Sequence, residues 1–243
     1  MSHAGSKPQF RAARRSAGPE FLDDAKLSHD ELTAILRDLA RFNGAMFGHW
    51  PALSWLKRVM RDVPSGQVVT LLDVGCGYGD MLRAIRQFAA NRGLSIRLIG
   101  IDLSPDVIAV ARQATPSEHD IEYRVGDVFA LELREPIDFI VSSLVTHHMT
   151  DAEIEQFLRW MERAARRGWF IYDLQRSRVP YHFIALSGWL MRVHPVVVND
   201  GRISVARSLT REEWEQRIAA AGIPRNAVDL RWFMFRFGIG RVK

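Results

Sequence analysis

Three glycines spaced two apart stand between two carboxylates: Asp73, then Gly75, Gly77 and Gly79, then Asp80. Without a Cβ, such residues let a chain turn tightly and lay its backbone against a ligand. The spacing is G-x-G-x-G, not the G-x-G-x-x-G of a dinucleotide turn, where a pyrophosphate meets a helix N-terminus. A carboxylate on each side of the loop opposes a pyrophosphate and suits a ligand carrying an ammonium and a sulfonium. Asp102 closes Gly100-Ile-Asp102 and can grip two ribose hydroxyls, which fits NAD and an adenosyl ligand alike. Asp127, in Gly126-Asp-Val128, can accept from an adenine amino group while the next backbone N–H donates to the ring. This third element separates the adenosyl reading from the dinucleotide one.

These residues need a frame that brings them to one edge. Val68–Val74 is a continuous apolar run, as a strand buried on both faces requires. Strands are also predicted over 95–101, 121–125, 137–143 and 169–174, and two more in the closing Val-Asp-Leu-Arg-Trp-Phe-Met-Phe-Arg-Phe-Gly-Ile-Gly. Helices are predicted over 79–92, from Pro105 to about Ala114, and from capping boxes at Thr150–Glu153, to stop at Gly168, and Thr210–Glu213. Upstream, Ser28–Glu31 caps a helix with Leu32, Ile35, Leu36 and Leu39 on one face, and a second helix follows Pro51. The alternation predicts an α/β fold, a doubly wound and mostly parallel sheet whose strand ends open on one edge, where ligands bind. Residues 177–206 interrupt it after the fifth strand and are placed to cover that edge as a lid. Tyr181, Phe183, Leu186, Trp189, Leu190 and Met191 there suit either a helix packed on the core or a roof for a lipophilic acceptor. The expected division is a leader at 1–18, a helical cap at 19–65 and a ligand-binding domain at 66–243.

Composition agrees with an ordinary globular chain: 243 residues, 47% hydrophobic and 25% charged. One cysteine excludes a disulfide framework. No apolar run approaches the roughly 18 residues of a membrane span, and no secretory signal pattern opens the chain, so a cytoplasmic setting without membrane insertion is expected. Of the net charge of +5, Lys7, Arg11, Arg14 and Arg15 supply four, which leaves +1 for the rest. The leader is expected to be disordered and dispensable. With no basic stripe, no nucleic-acid partner is expected, and monomer and homodimer stay open.

Over residues 66–240 the chain resembles the class I S-adenosylmethionine-dependent methyltransferases, nearest their small-molecule, quinone-type branch. Leu-Leu-Asp-Val-Gly-Cys-Gly-Tyr-Gly (71–79) is similar to the first family motif, Gly-Ile-Asp-Leu-Ser to the ribose-binding acid, Gly-Asp-Val to the adenine element, and Phe139–Met149 to the fourth-strand motif. A looser resemblance, on Tyr172–Arg178, Asn199–Gly201 and Arg207, is to a bacterial subgroup acting on polyketide or phenolic products. The resemblance implies a Rossmann-like, seven-stranded sheet with a final antiparallel strand. It also implies Gly75, Gly77 and Gly79 around the methionyl part, with Asp73 orienting the loop or the ammonium, Asp102 at the ribose and Asp127 with Val128 at the adenine; Cys76, Leu103 and Ser143 are further cofactor-binding candidates.

Transfer from a sulfonium is an in-line displacement in which the protein aligns the partners and, for a phenol of pKa about 10, removes a proton. His147 and His148 follow the fourth strand. Neighbours in an extended or turning segment point apart, so at most one is expected in the pocket, and either can be a packing residue. Asp173 is a further candidate base or a helix cap. On the acceptor side stand His49, Tyr172, Arg176, His182 and Arg207. Histidine and cysteine are too scattered along the chain to suggest a metal site. The expected acceptor is a small lipophilic phenol or polyketide, methylated on oxygen or carbon. Methylation of RNA or protein, and adenosyl binding without turnover, are the competing readings.

Overall fold

Val69–Val74 forms β1 and is almost wholly buried, which explains its unbroken apolar pattern. In the computed structural model, which describes residues 10–24, 27–64, 66–130 and 136–243, β1 pairs in parallel with β2 (Ile96–Asp102) and β4 (Ile137–Ser143). β3 (Ile121–Val125) flanks β2, and β5 (Ala165–Leu174) flanks β4. β7 (Arg236–Val242) runs antiparallel to β5 and carries β6 (Val228–Phe233) at the far edge. The order is β3-β2-β1-β4-β5-β7-β6. It reverses at β1 and β4, which places the ligand crevice between their carboxyl ends.

Helices cover both faces. α3 (Trp50–Val59), α4 (Asp80–Ala90) and α5 (Pro105–Gln113) bury their apolar stripes against one side of the sheet, and α6 (Asp151–Ala164) and α9 (Arg211–Ala220) against the other. A third cluster lies above the strand ends, where α2 (His29–Ala45), α7 (Arg178–Leu190) and α8 (Pro195–Arg207) meet. All three capping boxes close as the sequence predicts, at Ser28, Thr150 and Thr210.

Three expectations change. The helix from Thr150 stops at Ala164, not Gly168, because residues 165–168 are taken into β5: Gly168 pairs with Val242 and the Lys243 amide donates to Arg167 O at 2.8 Å. α3 does not belong to the cap; Trp55 stacks on Phe170 of β5 with ring centroids 5.4 Å apart. The leader is not free either. Residues 1–9 lie outside the described residues, but 10–18 run along the body. Arg15 donates to the carbonyls of Arg207 at 2.7 Å and Met149 at 2.8 Å and pairs with Asp151 at 2.6 Å. The Ser16 amide donates to Ala206 O at 2.9 Å, and Phe10 lies 4.8 Å from Tyr181, ring to ring. Arg15 is thus an anchor, and the strap it fixes leads into a short helix α1 (Phe21–Asp24), whose Phe21 and Leu22 amides donate to Asp200.

Candidate active site

β1 delivers the glycine loop to the sheet edge. Gly75, Gly77 and Gly79 all take positive φ, and a Cβ built on Gly77 (φ 51°) meets nothing within 4 Å. That position borders open space, as a ligand-facing glycine should. The Gly77 amide donates to Asp102 Oδ2 at 3.1 Å and the Ser104 amide to Oδ1 at 3.1 Å. Burial raises the Asp102 carboxyl above its ordinary range, and these backbone donors oppose the rise.

Beside the loop is a cleft with two buried side chains whose polar atoms are not all paired, Asp73 and Arg236. Asp73 is 1% exposed and neither carboxylate oxygen has a hydrogen-bond partner. Burial first, then the charges of Asp80 and Asp102, push its carboxyl well above the usual range. Arg236, also lining the cleft, donates through Nη2 to Asn43 Oδ1 at 2.9 Å, while its buried Nη1 has no partner. Leaving such groups unpaired costs on the order of 1–3 kcal/mol each. The pair fits the ammonium and carboxylate of an amino-acid moiety.

A second, largely apolar cavity, with about 880 Å³ of open space including its mouth, shares Leu39, Asn43, Leu144 and Arg236 with the cleft. Phe42 and Met46 of α2, Pro180, Phe183 and Ile184 of α7, and the β6–β7 turn wall it. That turn is Met234–Phe235, with φ of 34° and 69°. A two-residue hairpin turn with both φ positive normally takes Asn-Gly. Two large side chains hold this strained backbone and line the cavity. Leu144, at the junction of cleft and cavity, also has positive φ, 59°.

At the polar end of the cavity lie Glu20, His147 and His148. The two rings do not point apart. A 3-10 turn, Thr146–His148, brings their centroids to 4.3 Å. His147 Nδ1 meets Asp173 Oδ1 at 2.7 Å and its Nε2 lies 3.5 Å from Glu20 Oε1; His148 Nε2 lies 3.8 Å from Glu20 Oε2. Burial works against a charged His147, but the Asp173 and Glu20 carboxylates outweigh it and push the imidazole up to about 9. Burial likewise opposes the Asp173 charge, yet His147 and Thr146 hold it down to about 2. Ligand atoms of Glu20, His147 and His148 lie within 4.8 Å of one another, so the fold brings a distant carboxylate against two histidines that are neighbours in sequence. The group is already balanced in charge: Asp173 and Glu20 face the His147 imidazolium and Arg207, whose Nη1 is 3.9 Å from Glu20 Oε1.

The raised His147 gives a pH dependence. Its contribution to stability is complete below about 6.5 and is lost as pH rises through about 9. Melting temperature is expected to fall between neutral pH and 10, and a His147→Gln variant to flatten that fall. Melts across this range check it; a parent curve parallel to the variant's would contradict the imidazolium.

Residues 71–168 match a family model described as "Methyltransferase domain". Over 88% of the chain the fold superimposes, at TM-score 0.62 and 16% identity, on 97% of the plantazolicin methyltransferase BpumL, solved with a desmethyl-plantazolicin analogue and S-adenosylhomocysteine. Residues 71–168 carry a methyltransferase domain, on a fold shared with S-adenosylhomocysteine-bound methyltransferases. A magnesium protoporphyrin IX methyltransferase from Synechocystis PCC 6803 shares the fold over 90% of each chain, at TM-score 0.54 and 14% identity. The demethylmenaquinone methyltransferase of Staphylococcus aureus is 26% identical over 51% of this chain and 50% of its own. A ribosomal protein L11 methyltransferase of Desulfotalea psychrophila is 32% identical over 46% of this chain and 36% of its own. The chain spans about half or less of the length of these curated relatives.

Around this methyltransferase domain the sequence-predicted residues divide. Asp73, Gly75, Cys76, Gly77 and Ser143 line the cleft. Cys76 contributes backbone there; burial pushes its thiol up, out of nucleophilic range. Gly79 opens α4 and has Tyr123 against it. Asp102, Leu103, Asp127 and Val128 stand outside the cleft lining. Asp127 accepts from the Phe129 amide at 2.9 Å, Leu103 is exposed, and the Val128 side chain belongs to the core. His147 and His148 reach the cavity. Asp173 does not act as a free base, since both its oxygens are committed to Thr146, His147 and Leu174.

The acceptor-side expectations need the most correction. His49 Nε2 meets Asp80 Oδ2 at 2.6 Å and closes the cleft, not the acceptor cavity. Tyr172 is buried on the α3 side of β5. Arg176 is spent on the carbonyls of Ala12 and Ser208 and on Glu213. His182 points to solvent. Arg207 binds the carbonyls of His147 and His148 and so positions the turn. Sequence reasoning missed Glu20, Asp200 and Arg236. No local pattern marks Glu20 or Arg236; Asp200 lies in the Asn-Asp-Gly triplet of the looser resemblance.

Proposed function

We propose that this chain transfers a methyl group from S-adenosylmethionine to a hydroxyl of a small lipophilic, phenolic or polyketide-like acceptor. The observation that carries the reading is the shared wall: an apolar cavity joined to the glycine-loop cleft through Leu39, Asn43, Leu144 and Arg236. The open cavity also speaks against binding without turnover, and its apolar walls suit a lipophilic ring better than an RNA or protein substrate. The names of the plantazolicin relative and of a citrinin polyketide synthase CMeT domain, whose fold matches at TM-score 0.59 and 13% identity, support an acceptor of natural-product type.

S-adenosylmethionine, when bound, supplies the sulfonium methyl as electrophile. Asp73 and Arg236 would hold its amino-acid end and Gly77 would give it backbone space, while Asp102, which accepts from the Gly77 and Ser104 amides, would fix the loop and border the ribose. The apolar walls align the acceptor and keep water out. His147, kept protonated between two carboxylates, holds Glu20 in place, and His148 beside Glu20 receives the phenol proton. A panel of phenols and resorcinols with radiolabelled donor tests this, with the product's methyl placed by mass spectrometry and NMR. Labelled O-methyl product is expected. A C-methyl product would replace the oxygen assignment, and labelling of RNA or ribosomal protein alone would overturn the reading.

A further inference from the structure

α7 is apolar on two sides. Pro180, Phe183 and Ile184 wall the acceptor cavity. On the outer side Val179, Leu186, Trp189 and Leu190 are 60–76% exposed. Their spacing of seven, three and one residues keeps them on one arc of the helix. The patch continues across the cavity mouth. Phe183 meets Phe235 with centroids 5.2 Å apart, and the neighbouring Trp232 and Met234 of the hairpin are about half exposed. A contiguous apolar rim around an apolar cavity is unfavourable in water and marks an interaction surface.

The charges around the rim say what it fits. Residues 177–199 hold Arg178, Arg192 and two histidines without a single Asp or Glu. Of the acids facing this region, Asp38 is 3.7 Å from Arg41 and accepts from the His194 amide, and Asp200 accepts from the Phe21 and Leu22 amides. Beside Trp189 a groove between α7 and α8 is lined by Arg192 and Arg202, and Arg202 Nε is buried with no hydrogen-bond partner. Among the described residues no helix is long and apolar enough to cross a membrane. A thirteen-residue helix extends only about 20 Å, short of a bilayer core of about 30 Å.

We propose that the outer face of α7 and the β6–β7 turn dock on an anionic lipid bilayer, with Trp189, Leu186 and Leu190 at the interface and Arg178, Arg192 and Arg202 toward lipid phosphates. The helix lies on the membrane instead of spanning it, as an apolar face with basic flanks does. On the methyl-transfer reading above, which the docking itself does not need, the acceptor passes from the bilayer into the cavity under α7 without crossing water.

Co-sedimentation of the full chain with sucrose-loaded vesicles tests this. Vesicles of phosphatidylglycerol and phosphatidylcholine are compared with pure phosphatidylcholine, at low and high salt. The chain is expected to bind the anionic vesicles, to release as salt rises, and to lose at least about tenfold in affinity in a Leu186→Ser/Trp189→Ser/Leu190→Ser variant. The variant's melt and its S-adenosylhomocysteine binding should match the parent's, since none of the three touches the cleft. Equal recovery with both vesicle types, or unchanged binding by the variant, would overturn the proposal. So would a dimer in the ultracentrifuge that the variant dissolves while vesicles capture neither form, because the face would then be a self-interface. No acceptor or turnover enters the measurement, so its failure and that of the methyl-transfer reading are told apart.

Discussion

Replacing His148 by Ala is expected to lower kcat by about 10²–10⁴-fold at neutral pH, with S-adenosylhomocysteine affinity unchanged. The size follows from the division of labour between two adjacent rings. His147 is held as an imidazolium up to about 9. It lies between Asp173 and Glu20 and has no capacity to accept a proton in that range. His148, with 37% of its side chain exposed at the same cavity, is the ring placed to meet the phenol. The loss should shrink as pH approaches the phenol's own value of about 10, where the acceptor ionises unaided. His147→Ala should differ in kind: it leaves the buried Asp173 without its partner, so melting temperature falls along with rate. If His148→Ala turns over the true acceptor like the parent at neutral pH, the transfer runs by alignment alone and proton removal by this ring is wrong.

Gly77→Val is expected to cost at least about 100-fold in cofactor affinity, the second large effect. Valine at φ 51° strains the loop by about 1–2 kcal/mol and is stiff at χ1. Its branched side chain then fills the open space that a Cβ at Gly77 would face. The same strain reaches Asp102, which the Gly77 amide holds. Asp102→Ala should lose less, about 1.5–3 kcal/mol, the range for hydrogen bonds to a charged group. Arg236→Met, which removes the unmet Nη1, should fall between the parent and Gly77→Val. Titration calorimetry with S-adenosylhomocysteine ranks the three. Parent-like binding by Gly77→Val would move the adenosyl site away from this cleft.

How much of this could be read from the chain depends on how local each feature is. The glycine loop, Asp73 and the parallel strands are legible because each is written in a few consecutive residues whose period or spacing has one physical meaning. The three capping boxes belong to the same class. The end of α6 was not legible: residues 165–168 follow helical patterning, and only pairing with Val242, far along the chain, makes them strand. The two histidines show the same limit. Adjacent residues diverge in a strand, but a 3-10 turn fixed by Asp173 and Arg207 turns both rings one way. Arg176 and Arg207 look like ligand-binding arginines in sequence because nothing local reveals the carbonyls they satisfy. Glu20 is the extreme case, a carboxylate in a segment without apolar period that meets His147, His148, Ser204 and Arg207, each more than a hundred residues away.

That strap sets an order of assembly. Glu20 is synthesised more than a hundred residues before His147 and before Ser204, whose hydroxyl donates to it at 2.7 Å. Arg15 waits likewise for Met149, Asp151 and Arg207. The sheet from β1 to β4 can pair while the strap still has nothing to bind, so the acceptor end of the site is completed only after synthesis has passed α8. A nascent or C-terminally truncated chain can therefore possess a formed glycine loop and still lack the corner where the acceptor is activated.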